Sequence, residues 1–386
     1  MRKLFCIFLI FTFLCLPAAA RAEGGVDAFE TLPQTATAKA VLLTPAQADL
    51  VIAESASDKS LAVAGLAKLP AILTLALAFD EGLIKGDTAM QVSKKAAEVS
   101  GPTAFLESGE RMPAGDLMKA AIMISAGDAI WTLGENAFGS EQVFLKNIEA
   151  TMQKLGLSLT LTDCVGTGTA FTAQELAAIA RAAAKSPTFL GYAIKYMDTL
   201  HHSDGRSTEL VNANRMIRNY SGCRGLLTGS SRDDGYSGVF YAERGGVGYV
   251  AVVIGCKNSE ERFAAATSLF DYAYANCKLQ TLAQEGAPTL TAYPVQDGDV
   301  RELDLYPHES VVSLLRKSDG ELQVTYDLPE TLQAPLFADV PVGHVYYGYA
   351  NESEPRFAIA LYPAQDVLAF GFWHLILRLF RSYTGL

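Results

Sequence analysis

Lys68 is the side chain from which any chemistry in this chain would have to begin. It stands just before a long apolar run, residues 71–79, where an unpaired charge would be costly. A lysine amine can act as the base in acyl transfer when a hydroxyl lies within hydrogen-bond reach. One turn before Lys68 stands Gly65, which has no hydroxyl to acylate. The two residues therefore offer a base without a nucleophile.

No shifted hydroxyl replaces the missing one. No lysine in the chain has a serine three residues before it, and Ser57 and Ser60 fall in a predicted loop upstream of Gly65. Thr151 and Lys154 have the right spacing, but the segment around them is predicted to be a polar helix with a solvated face. A second Ser/Thr–Lys pair is therefore not expected to act.

Two further stretches contain residues of the kind that assist acyl transfer. The first, Ser-Ala-Gly-Asp-Ala, spans 125–129, and its Ser125 can relay protons. The second, Arg-Gly-Leu-Leu-Thr-Gly, spans 224–229, and its Leu227 offers no positive field for a substrate carboxylate. Arg224 lies close in sequence, but alternation along a strand should point its side chain the other way.

In order and spacing, the three stretches resemble the active-site motifs of the penicillin-binding D-Ala-D-Ala carboxypeptidases. That family has Ser-x-x-Lys, Ser-x-Asn and Lys-Thr-Gly in one cleft at the edge of a sheet. The residues that stand here in place of the serine, the asparagine and the second lysine are Gly65, Gly127 and Leu227. The losses fall on chemically active positions, while the flanking residues are kept.

The resemblance also identifies what remains of the site. It implies that Lys68 and Ser125 are remnants of the catalytic group, and that Thr228 and Gly229 stand where the family binds substrate. Removing one member of a catalytic unit typically costs several orders of magnitude in rate. We therefore expect a pseudoenzyme of peptidoglycan metabolism that binds cell-wall peptide or a partner protein in its old cleft.

Two other functions stay open from the sequence. One is an active serine-type D-Ala-D-Ala carboxypeptidase that trims peptidoglycan pentapeptides by other chemistry. The other is a structural module that holds or spaces another protein above the membrane. Release of D-alanine from a pentapeptide would decide for the first.

The elements that must position these residues indicate an α+β fold. Residues 68–83 are apolar nearly all round and predict a buried central helix, with Pro70 tolerated in its first turn. Further helices are predicted at 117–137, with an interruption at 125–128, and at 142–155, 172–185 and 260–275. Strands are predicted within 38–52 and at 238–242 and 248–255, so that an antiparallel sheet would have helices on its faces. The resemblance implies the same architecture, a DD-peptidase/β-lactamase-like domain over 23–280.

A second, β-rich domain is predicted over 281–364. Six short β-type runs follow residue 286, separated by Pro, Gly and Asp-Gly turns, and they favour a small β-sandwich. The runs are 289–293, 300–305, 310–315, 322–326, 345–349 and 357–361.

The two ends of the chain indicate export and a membrane location. Residues 1–22 are predicted to be a signal peptide, with a basic start, an apolar stretch and a small-x-small site ending at Ala22. Residues 365–386 predict an amphipathic helix on the membrane surface, strongly apolar over 367–380, with His374, Arg378 and Arg381 on one face. A core helix docked on the sandwich is the alternative. We expect the protein on the outer face of the cytoplasmic membrane.

Composition excludes several partners and cofactors. A formal charge of -11 argues against nucleic acid, because phosphate binding needs clustered Lys and Arg. His201-His202 is expected in a surface turn, no metal-ligand spacing links the cysteines, and neither a metal nor another cofactor is predicted. The cysteines of the exported chain, which allow disulfides or buried free thiols, are Cys164, Cys223, Cys256 and Cys277.

Overall fold

The structure, a computed structural model, describes residues 35, 37–316, 320–349 and 355–371. Up to residue 276 it is an α+β domain, as the sequence predicts. Its strands are β1 (Ala40–Pro45), β2 (Ala53–Ser55), β3 (Leu61–Ala62), β4 (Ala89–Gln91), β5 (Arg111–Pro113), β6 (Ala170–Phe171), β7 (Met197–His201), β8 (Ser207–Val211), β9 (Cys223–Gly225), β10 (Thr228–Ser231), β11 (Gly235–Arg244) and β12 (Val247–Cys256). Its helices are α1 (Leu69–Asp80), α2 (Lys94–Ala97), α3 (Ala114–Ile124), α4 (Gly127–Phe138), α5 (Glu141–Lys154), α6 (Ala173–Ala183), α7 (Pro187–Ala193), α8 (Met216–Asn219) and α9 (Ser259–Asn276).

One antiparallel sheet lies at the centre of this domain, in the order β10-β11-β12-β1-β2, with β9 also paired to β11. The inner strands β12 and β1 are buried on both faces, so nearly all of their residues are apolar. In β12, Val250, Val252 and Ile254 face one core cluster, and the residues between them face a second cluster that includes Phe270 of α9. The first cluster also holds α1, α3, α4 and α6, which contain or support the candidate site.

The central helix is confirmed and is short. A 3₁₀ turn at Ala64–Lys68 precedes α1, and Pro70 lies in the first turn of α1 as expected. Nine of the twelve residues of α1 are buried, which is why its sequence is apolar on every side. The helix therefore fixes Lys68, at its N-terminal end, in a rigid apolar frame.

A β domain follows, and all six predicted runs form strands. Its strands are β13 (Cys277–Ala283), β14 (Leu290–Gln296), β15 (Glu302–Tyr306), β16 (Val311–Arg316), β17 (Leu322–Asp327), β18 (Leu332–Gln333), β19 (Gly343–Tyr349) and β20 (Phe357–Pro363). β13 pairs with β16, and the other six form a sheet in the order β17-β19-β20-β15-β14-β18. Residues of β13, β15, β19 and β20 share one apolar core, and Tyr347 Oη donates to the Leu282 carbonyl at 2.7 Å.

The start of the predicted C-terminal helix is corrected. Val367 forms a β-bridge with Leu336, and the amide of Phe370 donates to the Asp297 carbonyl at 2.7 Å, so residues 367–370 are held on the β domain in extended form. Val367 is buried in the apolar core of the β domain. The rest of that stretch and the predicted signal peptide lie outside the described residues. Within the described ranges, none of the helices has the length and hydropathy that crossing a bilayer requires.

Candidate active site

Lys68 is a buried amine bound to main chain. Its side chain is 6% exposed, and Nζ donates a 2.7 Å hydrogen bond to the backbone carbonyl of Ser125. Burial lowers the pKa of Lys68 to about 8, although the negative charges of Asp128 and Asp163 oppose that shift. The acceptor of the Lys68 hydrogen bond is therefore the Ser125 backbone carbonyl and not its hydroxyl.

Ser125 occupies the break between α3 and α4. It ends α3 in the left-handed conformation, with φ 54° and ψ 41°. This turn directs its carbonyl toward Lys68, and the next helix begins two residues later at Gly127. The base is thus engaged by a group that can neither be acylated nor deliver a proton.

Gly65 lies in the 3₁₀ turn, directly against β10. A Cβ atom on Gly65 would lie 3.6 Å from Gly229 Cα and 3.8 Å from the Thr228 carbonyl oxygen, both ordinary van der Waals distances. A methyl group at position 65 would therefore fit sterically. The missing nucleophile is a chemical loss that the surrounding fold does not require.

Gly127 differs from Gly65, because its surroundings have closed around it. A Cβ atom there would lie 2.7 Å from Val99 Cγ1, 3.5 Å from Val165 Cγ1 and 3.4 Å from Lys68 Nζ. The family's asparagine would stand beside Lys68 at this point. Apolar side chains occupy that space here, so restoring the amide would require Val99 to move.

Leu227 is a core residue. It lies between β9 and β10, is 2% exposed, and belongs to the same apolar cluster as Leu226, Val239 and Tyr241. Arg224 points elsewhere, as alternation predicts, and its Nη1 is 3.0 Å from Glu243 Oε2. The side chain at the family's lysine position therefore supplies neither charge nor hydrogen bond here.

Thr228 and Gly229 begin edge strand β10, paired with Gly238 and Ser237 of β11. Gly229 is required by close packing, because a Cβ atom there would lie 2.8 Å from the backbone nitrogens of Gly65 and Leu66. The structure thus brings the first and third motifs into backbone contact. The hydrogen bond between Lys68 and Ser125 brings the second motif to the same place. All the predicted site residues except the core residue Leu227 therefore lie close together.

Two supporting residues were missed from the sequence. Arg262 of α9 is 4% exposed, and its Nη1 donates to the carbonyls of Gly229 at 3.3 Å and Ser237 at 3.1 Å. Its spacing from the buried Ala265, Ala266 and Leu269 places it on the inner face of α9, which was the available signal. It holds β10 in position.

Asp128 is the second supporting residue. It is 1% exposed, and its carboxylate accepts hydrogen bonds from the backbone amides of Ala104 at 2.9 Å and Leu106 at 3.1 Å. Asp128 thereby anchors the 104–106 loop, a contact that sequence spacing does not reveal.

No metal site is found within the described residues, where no group of three or more His, Cys, Asp or Glu could hold an ion. His202 is not in a surface turn as expected. It is buried and bonds Glu110 Oε1 at 2.8 Å and Thr208 Oγ1 at 2.8 Å. All four cysteines of the described region, the set named above, are free thiols.

The burial of Lys68 predicts a pH-dependent stability. With a pKa of about 8 in the folded chain against 10.5 for an exposed lysine, the unfolded chain alone keeps the proton between those values. Stability therefore rises with pH in that window. Relative to Lys68→Met, the free energy of unfolding of the wild type should rise by about 2 kcal/mol between pH 8 and pH 10. Urea unfolding of both proteins measures this, and a constant difference would contradict it.

Comparison with known proteins places this geometry in a family. A model of D-alanyl-D-alanine carboxypeptidase matches residues 27–258, and a model of the penicillin-binding protein 5 C-terminal domain matches residues 278–368. The carboxypeptidase DacF of Bacillus subtilis is 27% identical over 342 residues, covering 87% of each chain. DacC of Escherichia coli is 27% identical over 393 residues, covering 97% of this chain and 95% of DacC.

Solved structures agree on the fold. Penicillin-binding protein 5 from Haemophilus influenzae superposes with a TM-score of 0.75 at 19% identity, covering 86% of this chain and 98% of that one. The match to the carboxypeptidase model spans more than half of the 386 residues. The chain therefore belongs to the D-alanyl-D-alanine carboxypeptidase family.

Proposed function

We propose that this protein is a non-catalytic member of its family that binds cell-wall peptide, or a partner protein, in the cleft between Lys68 and β10. One observation supports this above others. Lys68, the lysine of the first motif, donates to a main-chain carbonyl, and the residue one turn before it is Gly65. Acylation needs a nucleophile whose proton a base can take.

The reaction step that this chain lacks is the formation of one covalent bond, the acyl-enzyme ester. A serine carboxypeptidase forms an ester between its hydroxyl oxygen and the peptide carbonyl, and D-alanine leaves. At Gly65 there is no side-chain oxygen from which that ester could form. Binding, by contrast, needs only shape and hydrogen-bond groups, and the edge of β10 and the remaining polar residues supply those.

The location of the protein is part of the proposal. Its relatives are carboxypeptidases that act on peptidoglycan, which suggests an extracytoplasmic location. We further propose attachment to the outer face of the cytoplasmic membrane through the tail that follows residue 371. Co-sedimentation of the full chain with anionic lipid vesicles tests this, and a chain that stays in the supernatant would contradict it.

Titration with an acyl-peptide ending in D-Ala-D-Ala separates binding from turnover. Calorimetry should show saturable binding, while an enzymatic assay of the same mixture should find less than one equivalent of free D-alanine after a day. Gly65→Leu, which would project a side chain into the cleft, should abolish the heat of binding, and Gly65→Ala should keep it. Catalytic release of D-alanine would favour the active-enzyme alternative, and absence of any binding would remove the peptide as the ligand.

A further inference from the structure

An exposed apolar patch lies where the chain leaves the β domain toward its C-terminus. It consists of Phe337, Val340 and Leu368, whose side chains are 48%, 50% and 53% exposed. Among the described residues of the β domain, the other large apolar side chains that are exposed are Val324 and Tyr326 on β17. Clustered apolar exposure marks an interaction surface more often than single exposed residues do. The three clustered residues are called the exit patch below.

The backbone holds the exit patch together. Leu336 and Val367 exchange two hydrogen bonds of 2.9 Å, and both side chains belong to the core of the β domain. Because side chains alternate along extended chain, Phe337 and Leu368 face outward as diagonal neighbours, about 7 to 8 Å apart. A turn brings Val340 alongside them, since its amide donates to the Phe337 carbonyl at 3.1 Å. The exit patch is therefore a fixed feature of the fold.

Aspartates surround the exit patch. Asp366 and Asp299 each accept a hydrogen bond from a backbone amide beside it, at 2.8 Å and 3.2 Å. Asp339 lies in the turn of the patch, and Asp297 lies two residues before Asp299. In the part of the chain that the structure describes, none of these four carboxylates forms a salt bridge. Arg301, two residues after Asp299, offsets one of the four charges. The surroundings of the patch therefore suit a partner that is both apolar and cationic.

The segment that follows carries the complementary sequence. Residues 372–386 contain no Asp or Glu, and they include Arg378 and Arg381. Their apolar residues recur at the spacing of one helix face, at Phe372, Leu375, Ile376 and Leu379. The segment begins beside the patch, because the amide of Phe370 donates to the Asp297 carbonyl at 2.7 Å. A segment attached next to its binding site meets that site at a high effective concentration.

We propose that residues 372–386 dock on the exit patch, with their apolar side chains on the patch and their arginines facing the aspartates. The inference goes beyond the proposed function, which assigns the same segment to the membrane surface. The patch and the bilayer then compete for one apolar face of the segment. The protein therefore has a membrane-free form in which that face is covered, and attachment requires its release.

Acrylamide quenching of tryptophan fluorescence tests the docking in the full chain without vesicles. The chain has two tryptophans, and Trp131 is only 6% exposed, so quenching reports mainly on Trp373 of the docking segment. Trp373 should be protected in the wild type, and Phe337→Ser should raise its quenching constant about twofold or more. Val324→Ser is the matched control, because Val324 is exposed on β17 at the far edge of the same sheet, and it should change nothing.

Charge reversal tests the pairing across the interface. The double variant Arg378→Glu with Arg381→Glu should expose Trp373 to the quencher, because four aspartates would then face two glutamates. Asp339→Lys alone should also expose Trp373, since it repels the arginines. Asp339→Lys added to the double variant should protect Trp373 again. Only groups that interact give such a reversal of sign, so additive effects would contradict the docking.

The docking and the proposed membrane attachment can fail separately. If Trp373 were as accessible in the folded wild type as in the urea-unfolded chain, the docking would be overturned. Unchanged quenching in Phe337→Ser would overturn it as well. A chain that protects Trp373 but does not sediment with vesicles would support the docking and remove the attachment.

Discussion

Leu227→Lys should lower the free energy of unfolding by about 3 kcal/mol or more. Leu227 is 2% exposed, and it packs among apolar side chains that would not solvate a new ammonium group. A buried, unpaired charge carries a desolvation penalty that no contact offsets. The lysine that the family has at this position is therefore incompatible with the present packing.

Leu227→Met is the matched control, since it keeps volume and apolarity and should cost less than about 1.5 kcal/mol. Urea unfolding monitored by circular dichroism measures both variants. If Leu227→Lys proved as stable as Leu227→Met, its ammonium would have to reach solvent through the cleft, and the placement of Leu227 in the core would be wrong.

Gly229→Ala should destabilise the chain by about 2 to 3 kcal/mol, in the range of overpacked cores. The new methyl group would lie 2.8 Å from two backbone nitrogens and 2.9 Å from the Val63 carbonyl oxygen. Backbone atoms cannot rotate away as a side chain can, so β10 and the 3₁₀ turn would have to separate. The contact between the first and third motifs would open.

The matched control lies on the other side of the same contact. Gly65→Ala meets its nearest atoms at 3.6 Å and 3.8 Å, so its stability should stay within about 1 kcal/mol of wild type. Thermal unfolding of the two variants compares them directly. If both variants lost the same stability, the close approach at Gly229 would not be what makes this position intolerant of a side chain.

The fold could be predicted where side-chain periodicity alone determines the structure. Helix α1 is apolar on all sides and has Pro70 in its first turn, which suits only a buried helix. Strands β11 and β12 are likewise buried on both faces. The runs of the β domain are each bounded by turn residues. The hairpin of β7 and β8 was not predicted, because its residues are mostly polar and exposed.

The sequence predicted which residues belong to the site, but it did not predict the contacts that they make. The motifs located Lys68 and Ser125, but only the left-handed turn at Ser125 determines that a carbonyl binds the amine. Val99 fills the space beside Gly127 from 28 residues upstream (127 − 99), and His202 pairs with Glu110 from 92 residues away. Such pairs depend on tertiary packing, which a single sequence does not encode locally. Val367 was assigned to a helix because its apolar neighbours gave no sign of a β-bridge.

The central claim is that no side chain of this protein can be acylated. Intact-mass spectrometry after incubation with ampicillin tests it most directly. The wild type should keep its unmodified mass under conditions in which a serine carboxypeptidase of the same family gains one adduct. Gly65→Ser should also stay unmodified, because Val99 and Val165 still occupy the space beside Gly127 and Leu227 still replaces the lysine. An ampicillin adduct on any side chain of the wild-type cleft would contradict the account.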